Sequence, residues 1–294
     1  MSTKTNPVVF IHGLWIHSTA WQPWLDLFTE RGYRVSAPGW PGDGETVAAT
    51  RANPEALDDV GIRTIVDHYA SVIGSADGRH EAKPIAVGHS FGGLIAQELL
   101  AAGLVAAAVA IDPAPIKGVK ALPLAQLRSA FPVLSNPANR HRTVSLNLRQ
   151  FRYAFGNALS VEESNRLHEL WTIPGPGLPL FEAATANLSK NSPARVDTRL
   201  VDRGPLLLTS GTEDHTVPLK VTKEVFGMYA KGVSDTPVNG VSDTPVNGVS
   251  DTPVNGVSDT DFHVFPGRGH SLTIDHGWRD VAEVALDWFA AKGF

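Results

Sequence analysis

Apolar residues recur along this chain in two alternating patterns. Short continuous runs read as buried strands: Val8–Ile11, Tyr33–Ala37, Lys83–Val87, Val105–Ile111, Pro205–Thr209 and Phe262–Phe265. Between them the apolar positions fall at helical spacing. Trp21, Trp24, Leu25 and Phe28 predict a helix from about Thr19 to Arg31, capped by Ser18 and ended by Gly32. Ile62, Ile65, Val66 and Tyr69 share one face of a second helix running to Ile73, and Leu94–Ala102 predicts a third, closed by Gly103. Further helices are expected over Pro218–Tyr229 and Trp278–Lys292. Strands that are apolar throughout, alternating with helices, predict an α/β fold. Its core is a mostly parallel sheet of about six strands with helices on both faces.

The alternation stops between Pro115 and about Arg203. Helical pieces such as Ala121–Phe131 and Val161–Trp171 are separated there by proline- and glycine-rich breaks, Ile173–Pro179 among them. This predicts a helical cap, residues 115–203, inserted into a core made of residues 1–114 and 204–294. A second anomaly lies inside the core. Val233-Ser-Asp-Thr-Pro-Val-Asn-Gly240 recurs at 241–248 and 249–256, and begins again as Val257-Ser-Asp-Thr260. Its small, polar, turn-forming residues cannot bury much apolar surface, so residues 233–260 are expected to form a dispensable surface loop or loose hairpin.

Composition narrows the function. The 294 residues, 43% of them hydrophobic, can bury a sizeable core. The formal net charge is −5 and no block of Lys or Arg suggests a nucleic-acid surface. With no cysteine, neither a disulfide framework nor a thiolate metal site is available. The first seven residues lack the apolar segment of a signal peptide, and the longest apolar run is far too short to cross a bilayer. The expectation is a soluble cytoplasmic protein with no membrane insertion. One charge asymmetry stands out. Between Pro115 and Leu170, Lys117, Lys120, Arg128, Arg140, Arg142, Arg149, Arg152 and Arg166 face only Glu162, Glu163 and Glu169. A solvated surface accounts for such a run; arginines lining an entrance for anionic substrates are the sharper reading.

The candidate chemistry centres on Gly88-His-Ser-Phe-Gly92, a G-x-S-x-G set between a strand and a helix. A turn this tight strains the serine backbone, lifts Oγ of Ser90 clear of the chain and leaves room only for glycine two positions either side. A serine hydroxyl needs a base within reach. His270, in a glycine-flanked loop after the last strand, is the candidate. A carboxylate must then hold the imidazole. Asp214 follows the preceding strand, with Asp112 and Glu213 as competitors; the order serine, acid, histidine favours Asp214. Oxyanion donors are expected at the N–H groups of Phe91 and of Leu14, the latter in His12-Gly13-Leu14 after the first strand. His12 is expected to tie that loop together, and His89 to pack or hydrogen-bond locally.

His12-Gly13, Gly88–Gly92, Gly211-x-x-Asp214 and Gly269-His270, in this order, resemble the α/β-hydrolase superfamily. The likeness is to its small bacterial serine esterases and cofactor-free, haloperoxidase-like perhydrolases. It spans essentially the whole chain. It implies a serine nucleophile, the triad Ser90, Asp214 and His270, a small-molecule acyl substrate, no metal and no cofactor. Two departures matter. A first strand at Val8 leaves no room for the family's leading β-hairpin, and Ser90 in place of aspartate argues against haloalkane dehalogenase or epoxide hydrolase chemistry. The expected reaction is cleavage of a carboxylic ester, lactone or related acyl compound. Perhydrolysis by the same triad and ligand binding without turnover remain open, as does the oligomeric state.

Overall fold

A computed structural model describes residues 6–76, 82–231 and 259–294. Among them lies a six-stranded sheet: β1 (Val8–Ile11), β2 (Val35–Ser36), β3 (Ile85–His89), β4 (Ala107–Ile111), β7 (Leu206–Gly211) and β8 (Thr260–Phe265). Its order is β2-β1-β3-β4-β7-β8, and every pairing is parallel. The octapeptide repeat falls almost wholly outside the described residues; its last two positions, Asp259 and Thr260, lead into β8.

Alternate strand residues feed two cores. Val8, Phe10, Ile85, Val87, Val109 and Leu207 face α1 (Gln22–Glu30) and α10 (Trp278–Ala291), packing on Trp24, Phe28 and Phe289. Val9, Ile11, Ala86, Ala108 and Leu208 face the opposite side. There they meet α3 (Ile62–Ala76), α4 (Phe91–Ala101) and α9 (Leu219–Lys231) through Ile65, Tyr69, Leu94 and Val221. Both faces are covered, which is why β1, β3, β4 and β7 are buried throughout and read as unbroken apolar runs. Each fully buried large side chain contributes about 1.5–3 kcal/mol.

Several expected boundaries move; the helix expected over Ala121–Phe131 runs over Leu124–Leu134, after Pro123. The strand expected over Tyr33–Ala37 pairs only at Val35 and Ser36, because it lies at the sheet edge and Pro38 follows. Ser18 does not cap α1. His17 caps a 3₁₀ turn at Ser18–Trp21, and α1 starts at Gln22, where Pro23 suits a first turn. After β4 the chain adds α2's later counterparts (α2 itself being Val47–Ala52): α5 (Leu124–Leu134), α6 (Leu148–Ala154), α7 (Val161–Trp171) and α8 (Leu178–Ala184). A two-residue antiparallel pair, β5 (Thr143–Val144) with β6 (Gly175–Pro176), stitches them. The expected break at Ile173–Pro179 therefore carries structure: Pro176 sits in β6, and Pro179 takes the first turn of α8. No described helix is long and apolar enough to cross a membrane.

Candidate active site

The sheet order reverses between β1 and β3: the chain leaves β1 for the β2 edge, then returns to β3 on the other side. In an open parallel sheet the crevice beyond the carboxyl ends at such a point is where ligands bind. Register decides what meets there. Ile11 pairs with Gly88, so Gly13 comes level with Ser90, and His89 pairs with Ile111, so Asp112 comes level with Ser90 from the other side. A Cβ on Gly13 would lie 2.8 Å from Cβ of Ser90, which measures how closely the loop after β1 presses on the serine.

Ser90 stands at φ 57°, ψ −119°, between β3 and the first turn of α4. Its N–H donates to the Ile111 carbonyl (2.9 Å) and its carbonyl accepts from Ala114 (2.9 Å), so the strained residue is tied on both sides to the end of β4 and the loop after it. The glycines are required by space. A Cβ on Gly88 would sit 2.0 Å from the Gly92 carbonyl oxygen, and one on Gly92 2.1 Å from that of Ile11. The N–H of Phe91, first residue of α4, has no partner within the helix. Neither it nor the N–H of Leu14 is spent on a hydrogen bond among the described residues.

Asp214 and His270 arrive on the loops after β7 and β8. Nδ1 of His270 lies 2.6 Å from Oδ2 of Asp214, and both side chains are fully buried. The other oxygen, Oδ1 of Asp214, accepts from the N–H groups of Thr216 (2.6 Å) and Val217 (2.8 Å). The carboxylate thus also caps the turn leading into α9. Nε2 of His270 is buried and has no hydrogen-bond partner, so its lone capacity is not used by the protein. No hydrogen bond joins it to Ser90 among the described residues; such contacts often tighten only when substrate is bound. Beyond β8 the histidine loop is anchored from the far side of the sheet, where Nε1 of Trp24 donates to the Thr273 carbonyl (2.9 Å).

Asp112, weighed as a rival acid, is placed behind the pair. It is fully buried, and Oδ1 accepts from the Gly211 N–H at 2.8 Å. Burial, and then the negative charge of Asp214 against which it rests, push its carboxyl well above the usual range. Oδ2 has no donor. A proton on that oxygen could be donated to Asp214, which would give the orphaned oxygen a partner. Glu213 is exposed and not brought to His270.

The remaining histidines divide by role. Nε2 of His12 lies 3.0 Å from Oδ2 of Asp43, and its ring stacks on Trp40, fixing the loop after β1 to the turn at 40–43. His89 does more than bond locally. Its Nε2 donates to the carbonyl of His270, 181 residues away, at 2.9 Å. Burial holds its imidazole well below the usual range and therefore neutral. His89, Asp112 and His270 each bring one ligating atom within 4.8 Å of the others, a spacing a cation could use. Each makes one protein hydrogen bond, to the His270 carbonyl, the Gly211 N–H and Asp214 respectively, while Nε2 of His270 and Oδ2 of Asp112 have no partner.

Aromatic residues that sequence reasoning did not single out close the site. Phe155, at the end of α6, packs edge-on against His270 at 4.9 Å, and stacks on Phe151 at 5.0 Å. Trp15 meets Phe155 at 6.3 Å and donates from Nε1 to the Val144 carbonyl. Leu14, Trp15, Phe91, Val133, Phe151 and Phe155 belong to one buried apolar cluster. The four-residue spacing of Phe151 and Phe155 was the available signal, but nothing local says which face it covers. Ser90 is only 4% exposed. The open cleft of 510 Å³ beside α7, lined by Arg51, Leu146, His168 and Ile173 among others, includes neither Ser90 nor His270.

A family model described as the alpha/beta hydrolase family matches residues 8–284. No curated protein sequence matches the chain. Among solved structures, similarity extends to the non-heme bromoperoxidase candidate BpoC of Mycobacterium tuberculosis H37Rv. It is 20% identical, with TM-score 0.64, over 100% of this chain and 95% of that one. The monoacylglycerol lipase of Paleococcus ferrophilus is 19% identical, with TM-score 0.62, over 99% and 98%. An extracellular alpha/beta-hydrolase from a Paenibacillus species is 20% identical, with TM-score 0.62, over 96% and 98%.

Proposed function

Because the chain belongs to the alpha/beta hydrolase family, we propose that it is a serine hydrolase that cleaves an apolar carboxylic ester or related acyl compound through an acyl-enzyme on Ser90. The observation that carries this reading is the buried contact between His270 and Asp214, with Nε2 of His270 left unpartnered on the side away from the acid. A neutral imidazole so held accepts the Ser90 proton as Oγ attacks the acyl carbon. The N–H groups of Leu14 and Phe91 receive the charge that develops on the carbonyl oxygen. His270 returns the proton to the leaving alcohol, then takes one from the water that attacks the acyl-enzyme and passes it to Oγ of Ser90 as the acid leaves. Residues 115–203 act as the cap: their Phe151 and Phe155 exclude water and favour an apolar acyl group.

The test is steady turnover of p-nitrophenyl esters together with labelling by a fluorophosphonate. Turnover and labelling, both lost in Ser90→Ala, are expected. Labelling without turnover would make the protein a binder on a hydrolase fold. The bromoperoxidase candidate among its structural neighbours gives the second reading, peroxide in place of water, and added peroxide converting acyl-enzyme to peracid would support it.

A further inference from the structure

Every exposed large apolar side chain among the described residues lies between Leu122 and Val201, in the segment joining β4 to β7. Four of them cluster at α5. Leu122 and Phe131 are 65% exposed, Leu124 84% and Leu127 40%. Positions 124, 127 and 131 fall on one helical face, together with exposed Arg128. Ser129 and Val133, on the opposite face, are buried. The helix is therefore amphipathic in both directions: one stripe reaches the core, and a second, also apolar, faces water. A contiguous stripe of this kind on a monomer marks a contact surface.

Charge says what the contact is. From Pro113 to Val161 the chain carries no acid, while Lys117, Lys120, Arg128, Arg140, Arg142, Arg149 and Arg152 fall within it. The elements that pack on α5 are the turn at Pro137–His141, α6 and α8. The first bears Arg140 and His141, the latter paired with the exposed carboxylate of Asp59, and the second Arg149 and Arg152. The acid on α8, Glu182, accepts the Ile62 N–H, and Glu224 of α9 accepts the N–H groups of Lys120 and Ala121, so each is turned to a backbone partner. An apolar stripe ringed by cations matches the surface of an anionic lipid bilayer or micelle. A second copy fits poorly, because a two-fold contact would set the same cations against themselves.

We propose that the outer face of α5 docks the protein on anionic lipid surfaces. The docking stands on this surface alone. Its use, delivery of lipid-borne acyl esters, rests on the hydrolase reading above. The inner face supplies the link, since Oγ of Ser129 donates to the carbonyl of His215, next to Asp214, at 3.1 Å. The buried side of α5 thus lies one residue from the candidate acid.

The experiment is co-sedimentation of the full chain with phosphatidylcholine vesicles, with and without phosphatidylglycerol, alongside turnover of a soluble short-chain ester. The full chain should partition onto the anionic vesicles, less so as salt rises. A Leu124→Ser, Phe131→Ser double variant should lose about tenfold or more of that partitioning. Its soluble-ester turnover should be unchanged, which also shows that it folds. Equal partitioning of the two proteins, or none by either, overturns docking. So does self-association of the full chain that the same double substitution abolishes, which assigns the stripe to a second copy. Vesicle binding by a chain that turns over no ester leaves docking intact and defeats the hydrolase reading instead.

Discussion

At the scale of single residues, two carboxylic acids of one type stand side by side with opposite assignments. Asp214 holds Nδ1 of His270, while burial, and then the charge of Asp214, push the carboxyl of Asp112 well above the usual range. The expected consequences separate them. Ser90→Ala should lower kcat by about 10⁶ and Asp214→Asn by about 10⁴, by analogy with serine proteases. Asp112→Asn should change it less than tenfold, because an amide can accept the Gly211 N–H and donate to Asp214 as a protonated acid would. If single-turnover kinetics found Asp112→Asn the more damaging of the two, the roles would have to be exchanged. Gly92→Ala belongs to the same scale. Its Cβ would meet a backbone oxygen at 2.1 Å, so β1 or α4 must shift, and activity should fall with loss of thermal stability rather than alone.

Elements carry the next set of effects. Helix α4 is buried on nearly every side, and Glu98 is buried with it. Burial pushes its carboxyl up to about 8, against the partial relief of Arg63 at 3.4 Å. Below the ordinary carboxylate range both folded and unfolded chains hold this proton. Between that range and about pH 8 the unfolded chain loses it and the folded chain keeps it, so stability falls as pH rises through the window. Glu98→Gln removes the titration. Its Tm advantage over the parent should grow from pH 5 to pH 8, and a constant difference would refute the shift. On the other face, Trp24 of α1 is fully buried against Phe10 and Phe28. Trp24→Ala should cost about 3–5 kcal/mol in denaturant titration, with an unchanged m-value. Because its N–H also holds the Thr273 carbonyl, Trp24→Phe should lower kcat through a loosened His270 loop.

For the whole molecule, direction along the sheet is the organising fact. In a parallel sheet all carboxyl ends lie at one edge, and Ser90, Asp214 and His270 follow three of them. The chain leaves α9 at Lys231 and enters β8 at Thr260, at the other edge, and in the sequence the octapeptide repeat lies between these two residues. Deleting Val233–Gly256 should therefore leave kcat/KM and Tm nearly unchanged, since loop closure costs only about 0.6 kcal/mol per doubling of length. A loss of activity beyond about tenfold, equal to 1.4 kcal/mol, would mean that the repeat supports β8 or the site.

What the sequence determined by itself is whatever depends on neighbours along the chain. Unbroken apolar runs and helical spacing gave the six parallel strands and their helices, because burial on two faces leaves that imprint on each strand. The G-x-S-x-G turn was equally legible, since its steric demand falls within five residues. Local signals erred where a proline or a sheet edge overruled them, at β2, at the start of α1 and around Pro176 and Pro179. The order serine, acid, histidine favoured Asp214 over Asp112, but that its carboxylate and not the other's lies against Nδ1 of His270 is set by register and loop length, which the sequence does not show. Only the tertiary structure turned His89 toward the carbonyl of His270 and set Phe155 over the ring. It also faced Leu124 and Phe131 outward: their spacing fits a buried stripe equally well, and what α5 packs against is settled by residues far from it in the chain.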